Sequence, residues 1–194
     1  MLRSPGVWMQ PFEIILKHYD PASDLYRILI THVILVTRKA LEIALDLSER
    51  NPRMEIDMEF IAEAGMLHDI GIKHCDAPEI FCHGKEPYIR HGILGGQMLE
   101  AEGLPRHALV CERHTGSGIA RRDVQIQKLP LPAKDYLPLS VEEKIICVAD
   151  KFYSKKPSKI WKQKSLKGIR KSLEKYGPAA LGRWEELLEE VGPL

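Results

Sequence analysis

Four histidines and two aspartates, His32, His68, Asp69, His91, His114 and Asp150, recur along the chain in an order that suits a buried pair of metal ions. Neutral imidazole together with carboxylate selects Mn, Fe, Co, Ni or Zn, whereas all-oxygen sets select Mg or Ca. Six such groups exceed the needs of one tetrahedral ion. The economical division gives His32, His68, Asp69 and Asp150 to one metal and His91 with His114 to a second, with Asp69 bridging through its two oxygens. Water on such ions deprotonates near neutral pH, against a pKa of about 15.7 in bulk, and cations ~3.5–4 Å apart can hold a phosphoryl group and its attacking oxygen together. The chemistry this points to is hydrolysis of a phosphoester or phosphoanhydride. The sharpest segment is Gly65-Met66-Leu67-His68-Asp69-Ile70-Gly71, where an ionisable pair interrupts an apolar run. Burying such groups is costly unless a charge or hydrogen bond receives them. Taken singly, His32 reads more simply as a satisfied core histidine, and His91 and His114 as surface ones; the adjacent pair does not.

Positioning these groups falls to helices. From Leu25 to Glu49, Ile28, Leu29, Val33, Val36, Ala40, Ile43, Ala44 and Leu47 follow three- and four-residue steps, which turns His32 inward with them. Asn51-Pro52 ends that helix. Asp57 caps the next, which runs through Ile61, Ala64 and Leu67 to Gly71 and places His68 and Asp69 in its last turn. Residues 74–85 read as a loop. A helix from Pro87 to Ala101 carries His91, and its Gly92, Gly95 and Gly96 permit close approach of a neighbour. Pro105 opens a short helix ending near His114. Residues 115–139, rich in Gly and Pro, read as a long excursion of functional or mobile character. Ser140 with Glu143 forms a capping box for a helix reaching Asp150, and amphipathic helices follow over 165–176 and 178–191. The expected fold is all-α.

The order of the six residues, with the contiguous His68-Asp69-Ile70-Gly71, resembles the HD superfamily of metal-dependent phosphohydrolases over roughly residues 25–156, in the subgroup with two extra histidines. The resemblance implies a helical bundle with a dinuclear centre in its core, holding two divalent transition metals, Fe or Mn foremost and otherwise Zn, Co or Ni. It also implies attack by metal-bound hydroxide on a nucleotide or related small phosphate compound. Enzymes of this type that cleave cyclic dinucleotides carry Gly-Tyr-Pro shortly after the fourth histidine. Here His114-Thr115-Gly116-Ser117-Gly118-Ile119-Ala120 lacks it. His114-Thr115-Gly116 and the stretch Glu143 to Lys151 are similar to enzymes that split diadenosine tetraphosphate symmetrically, from which the proline-rich insert between Gly118 and Ser140 departs. Two other classes remain open: HD-fold di-iron oxygenases that use the same six ligands, and a non-catalytic nucleotide sensor.

Around the ligands, Asp69, Lys73 and Lys151 are the candidate catalytic groups, the lysines as point charges for a bound phosphate. Thr115, Arg121 and Arg122 are candidate substrate contacts, with Glu112 a weaker one. His18, His74, His83 and His107 read as surface or loop residues. The domain division expected is an N-terminal extension over 1–24, the HD domain over 25–156, and a basic helical segment over 157–194 packed on the same domain.

A chain of 194 residues, 44% hydrophobic and 28% charged, fits one globular domain of ordinary composition. No apolar run reaches the ~20 residues that span a bilayer, and the N-terminus lacks a secretory h-region, so a cytoplasmic protein without membrane contact is expected. Cys75, Cys82, Cys111 and Cys147 form no Cys-x-x-Cys pair and read as reduced thiols, ahead of a structural zinc site using Cys75 and Cys82. The net charge of +1 conceals an asymmetry: residues 151–175 hold nine lysines and Arg170 against Glu174, so they carry +9 and the remainder −8. That block reads as a solvated helical surface leaning toward an anionic ligand. The expected partner is a small phosphate-containing substrate in preference to a nucleic acid.

Overall fold

A computed structural model describes residues 10–192. Residues 1–9 of the expected N-terminal extension lie outside the described residues. Among those described are nine α-helices and one small sheet, so the all-α expectation holds, and no helix is long and apolar enough to cross a membrane.

The spine is helix α2, Asp24–Arg50, which follows α1, Gln10–His18. Ser23 starts α2 because its hydroxyl accepts the Tyr26 N–H at 3.1 Å, satisfying one orphan donor of the first turn. The predicted apolar stripe is the buried face, and His32 lies in it with no exposure. Each aliphatic side chain buried there contributes roughly 1.5–3 kcal/mol relative to exposure. The first half of α2 packs with Ile14, Ile15 and Tyr19 at and beyond α1, and Tyr19 Oη donates to the Ile70 carbonyl at 2.6 Å.

Helix α3, Met58–Leu67, is capped by Asp57, whose carboxylate accepts the Phe60 N–H at 3.0 Å. It stops at Leu67, four residues before the expected glycine, and the chain continues as a 3-10 turn over Ile70–His74. Gly71 therefore does not cap the helix. A Cβ there would lie 2.2 Å from the His91 carbonyl oxygen and 2.3 Å from the Gly95 nitrogen, so the residue is bare because another backbone lies against it. That backbone is α4, His91–Ala101, entered through a 3-10 turn at Tyr88–Arg90 in place of the predicted helical start at Pro87. Gly92 repeats the device toward α5, Pro105–Arg113: its Cβ would sit 2.5 Å from the Cys111 carbonyl oxygen.

The segment expected as a loop holds three short strands, β1 Cys75–Ala77, β2 Cys82–His83 and β3 Glu86–Pro87. The order is β2-β1-β3, with β1 antiparallel to β2 (Asp76 opposite His83) and parallel to β3 (Cys75 opposite Glu86). Cys75 and Cys82 are buried free thiols, as are Cys111 and Cys147. The excursion over 115–139 is more ordered than its composition suggests. It contains α6, Arg121–Ile126, and Ile119 and Tyr136 exchange both backbone hydrogen bonds at 3.0 and 2.8 Å over a cluster of Ile93, Val124 and Tyr136.

Helix α7, Val141–Lys151, begins where Ser140 accepts the Glu143 N–H. The capping box is only half made. The Glu143 carboxylate accepts instead from the Leu139 N–H at 2.9 Å and from Arg113 at 3.0 Å, which ties α7 to α5. Helices α8, Leu166–Glu174, and α9, Pro178–Val191, close the second core cluster, where Trp184 is fully buried against residues of α2, α3 and α7.

Candidate metal centre

Each element delivers one or two polar groups to a single interior point: His32 from mid-α2, His68 and Asp69 from the end of α3, His91 from the start of α4, His114 just past α5 and Asp150 from the last turn of α7. All six are buried. They divide into two groups that could each hold a metal ion, His32 with His68, Asp69 and Asp150, and Asp69 with His91 and His114.

The two oxygens of Asp69 face opposite ways. Oδ2 lies 3.1 Å from His32 Nε2 and 3.2 Å from His68 Nε2, while Oδ1 lies 3.4 Å from the Nε2 atoms of both His91 and His114. Asp150 Oδ1 closes the first group at 3.0 Å from His32 Nε2 and 3.6 Å from His68 Nε2. In the second, the Nε2 atoms of His91 and His114 stand 3.1 Å apart.

Backbone carbonyls fix three of the rings. His68 Nδ1 donates to Gly65 O at 2.7 Å, His91 Nδ1 to Tyr88 O at 2.7 Å, and His114 Nδ1 to Cys111 O at 2.8 Å. A carbonyl only accepts, so each Nδ1 carries a proton and each neutral ring keeps Nε2 as a free lone pair. Tyr88 also stacks on His91, with ring centroids 4.7 Å apart. His68 Nε2 and Asp69 Oδ1 are fully buried without an oriented hydrogen bond, while Asp69 Oδ2 is met by the Lys155 ammonium at 2.6 Å. Buried polar atoms are rarely left so, and lone pairs converging from imidazole and carboxylate fit a divalent transition metal.

Charge separates the two groups. Burial opposes the carboxylate of Asp69, yet Lys155 and His68 outweigh it and hold the acid well below the usual carboxylate range; for Asp150, Lys151 and Lys155 do the same. Burial would lower His68 too, but Asp69 and Asp150 overcome it and raise the imidazole to about 9. His91, where burial dominates and His114 and Lys155 add to it, falls to about 3, and burial also lowers His114. Negative charge thus gathers on Asp69 and Asp150, while the imidazoles of His91 and His114 stay neutral.

The remaining candidates scatter. Lys151 Nζ reaches the Asp150 carboxylate and lies 3.3 Å from the His114 carbonyl oxygen. Lys73 gives its ammonium to the His18 carbonyl at 2.6 Å, over the Tyr19 ring, and does not join the six. Arg121 and Arg122 are exposed on the first turn of α6 and do not join them either. Thr115 borders a small apolar cavity of about 90 Å³ with Tyr176 and Arg183. Glu112 pairs with Lys134 at 2.7 Å. His107 is a correction: it is buried, edge-on to Phe60, with Nε2 3.1 Å from Glu63.

Sequence reasoning missed Lys155. Its Nζ lies 2.6 Å from Asp69 Oδ2 and 3.9 Å from Asp150 Oδ1, with the side chain 13% exposed. Four residues beyond Lys151 in a lysine-rich run, it carries no local sign that it folds back into the core. Lys151 and Lys155 line a cavity of about 340 Å³ that reaches Asp150, so the centre opens toward a basic mouth.

The HD domain family model matches residues 29–154. The chain is 38% identical over 122 residues to a protein of Methanocaldococcus jannaschii described as uncharacterized, covering 62% of this chain and 63% of that one. It is 37% identical over 99 residues to a tRNA (cytidine(56)-2'-O)-methyltransferase of Picrophilus torridus, covering 50% of this chain and 25% of the enzyme. The enzyme of the same name from Thermoplasma volcanium is 29% identical over 127 residues, 65% of this chain and 32% of the enzyme. The matches thus span less than two thirds of these relatives' own lengths. None of the three is named for diadenosine tetraphosphate hydrolysis, and no solved structure matches. By the extent of the family match and the buried His-Asp cluster within it, the chain belongs to the HD-domain family.

Proposed function

We propose that this chain is a metal-dependent phosphohydrolase that cleaves a phosphoester or phosphoanhydride bond of a nucleotide-like substrate. The observation that carries this reading is Asp69, whose two oxygens each face a separate set of imidazoles. When bound, a pair of divalent transition metals would supply Lewis-acid charge to the phosphoryl oxygens and bring the ionisation of water toward neutral pH. The protein contributes rigidity and charge. Backbone carbonyls engage Nδ1 of three imidazoles, so that Nε2 is the nitrogen left for a metal, on His68 once its proton is displaced, and Asp69 and Asp150 stay ionised against the cost of burial. Lys151 and Lys155 stand at the mouth, where non-bridging phosphate oxygens would approach. Fixed donors at that point need no reorganisation as charge develops. Thr115, which lines the neighbouring apolar cavity, would contact the rest of the substrate.

A lysine-lined mouth supports an anionic substrate over the uncharged ones an oxygenase can also take. The test is turnover under argon with Mn(II)-loaded protein against nucleotides, dinucleoside polyphosphates and cyclic nucleotides. Release of a phosphorylated or dephosphorylated product is the expected result. Turnover that requires both iron and oxygen would move the chain to the oxygenases; tight nucleotide binding without turnover would make it a sensor. The relatives named as tRNA methyltransferases favour RNA as one source of the phosphate, so RNA-derived nucleotides belong in the panel.

A further inference from the structure

Of the lysines over residues 151–175, Lys167 and Lys171 lie on α8 as a helical surface, but Lys155, Lys156, Lys159, Lys162 and Lys164 lie between α7 and α8 and off any α-helix. Between Lys151 and Leu166 the chain forms a strap with a single 3-10 turn, Pro157–Lys159, returned to α7 by the Lys164 N–H donating to the Phe152 carbonyl at 2.8 Å. Two cavities follow this strap. The inner one, about 340 Å³, reaches Asp150 and Lys155; the outer one, about 450 Å³, is bounded by Lys159, Lys162 and Ser165. Ser154, Lys156 and Lys164 border both, so the two cavities adjoin along the strap, the outer one on the side away from the His-Asp cluster.

In the inner cavity Lys151 and Lys155 are paired with Asp150 and Asp69 and Glu79 forms part of the lining, whereas the lysines farther along the strap are cations without counter-ions. Among the described residues, Lys156, Lys159, Lys162 and Lys164 have no carboxylate within ion-pair distance, although the chain outside residues 151–175 carries −8. Burial and the ammonium groups of Lys151, Lys155 and Lys175 lower the pKa of Lys164 against the opposing pull of Asp150. Ile160 anchors the strap in the core at 4% exposure and leaves Trp161, flanked by Lys159 and Lys162, 75% exposed; Tyr153 and Tyr176 border the inner cavity. Lysines interleaved with an exposed indole suit a backbone of phosphates whose bases have aromatic faces to stack on. A mononucleotide would need only the inner cavity.

We propose that the strap over residues 151–165 is a track for a single-stranded polynucleotide, seating one phosphate at the His-Asp cluster and running the following phosphates past Lys156, Lys164, Lys162 and Lys159. The seating of the phosphate rests on the hydrolase reading; the track itself does not.

The test is fluorescence anisotropy with labelled single-stranded RNA and DNA 12-mers of one sequence, and their duplexes, on the full chain with metal chelated. Expected is binding of single strands that weakens with salt at a slope near −3 in log–log form, about −0.7 for each of four phosphate contacts. Lys159→Glu with Lys162→Glu should weaken binding at least roughly tenfold and flatten the slope by about 1.4. Trp161→Ala should cost roughly tenfold while leaving the slope unchanged, because it removes stacking and no charge. All three residues are exposed, and circular dichroism melts check that the variants fold. The RNA and DNA arms identify which strand is preferred. Duplexes bound as tightly as single strands with Trp161→Ala silent, or a double variant that binds as wild type, would overturn the track. Loss of phosphate release with strand binding intact would overturn only the hydrolase.

Discussion

Gly71→Ala isolates the link between chain packing and the second ligand group. The added Cβ would lie 2.2 Å from the His91 carbonyl oxygen, 2.3 Å from the Gly95 nitrogen and 2.8 Å from the Gly95 Cα, whereas ordinary contacts begin near 3.4 Å. All three are backbone atoms, so no side-chain rotation relieves the clash, and α4 must retreat by about 1 Å from the 3-10 turn, a shift of the kind overpacking imposes. His91 is the first residue of that helix and would move with it, opening its 3.4 Å approach to Asp69 and its 3.1 Å approach to His114. Overpacking costs typically about 1–3 kcal/mol, and an all-backbone clash belongs near the upper end. Urea unfolding should therefore show a loss of ~3 kcal/mol. Metal analysis should show the Asp69–His91–His114 group emptied and the His32–His68–Asp69–Asp150 group retained. Wild-type stability together with wild-type metal content would refute the reasoning, since it would mean that α4 can yield without disturbing the centre.

Asp69→Ala should lose both metals and all activity, because it deletes an oxygen from each ligand group, whereas His91→Ala should lose mainly the second; full metal in both variants contradicts the bridging role. Metal affinity should rise with pH. In the metal-free protein His68 holds its proton up to about 9 while His91, near 3, is already neutral, so binding displaces one proton and log K should climb with unit slope from pH 7 until it flattens near 9. A flat calorimetric profile across that range would contradict it. Trp184→Ala, emptying a fully buried site where α9 meets α2, α3 and α7, should cost ~3–5 kcal/mol in denaturant unfolding.

What could be read in advance followed from periodicity. His32 was legible as inward because α2 keeps a helical repeat for 27 residues, and Asp57 and Ser140 marked helix starts because their side chains cap orphan N–H groups. The three strands were not legible, since two or three residues carry no repeat. Gly71 was legible as special but for the wrong reason: a closely packed backbone and a helix cap ask for the same residue. Lys155 and the pairing of His107 with Glu63 were hidden because each depends on a partner 86 and 44 residues away in sequence respectively. A lysine among lysines shows no tertiary destination. The six His and Asp residues of the candidate centre escaped that limit because their residue types carry the chemistry wherever the chain delivers them.

The most direct test of the centre is anomalous diffraction at the absorption edge of whichever metal co-purifies or restores activity. Two peaks ~3.5–4 Å apart, one among His32, His68, Asp69 and Asp150 and the other among Asp69, His91 and His114, are the predicted result. A single peak, or peaks away from Asp69, would contradict the dinuclear account.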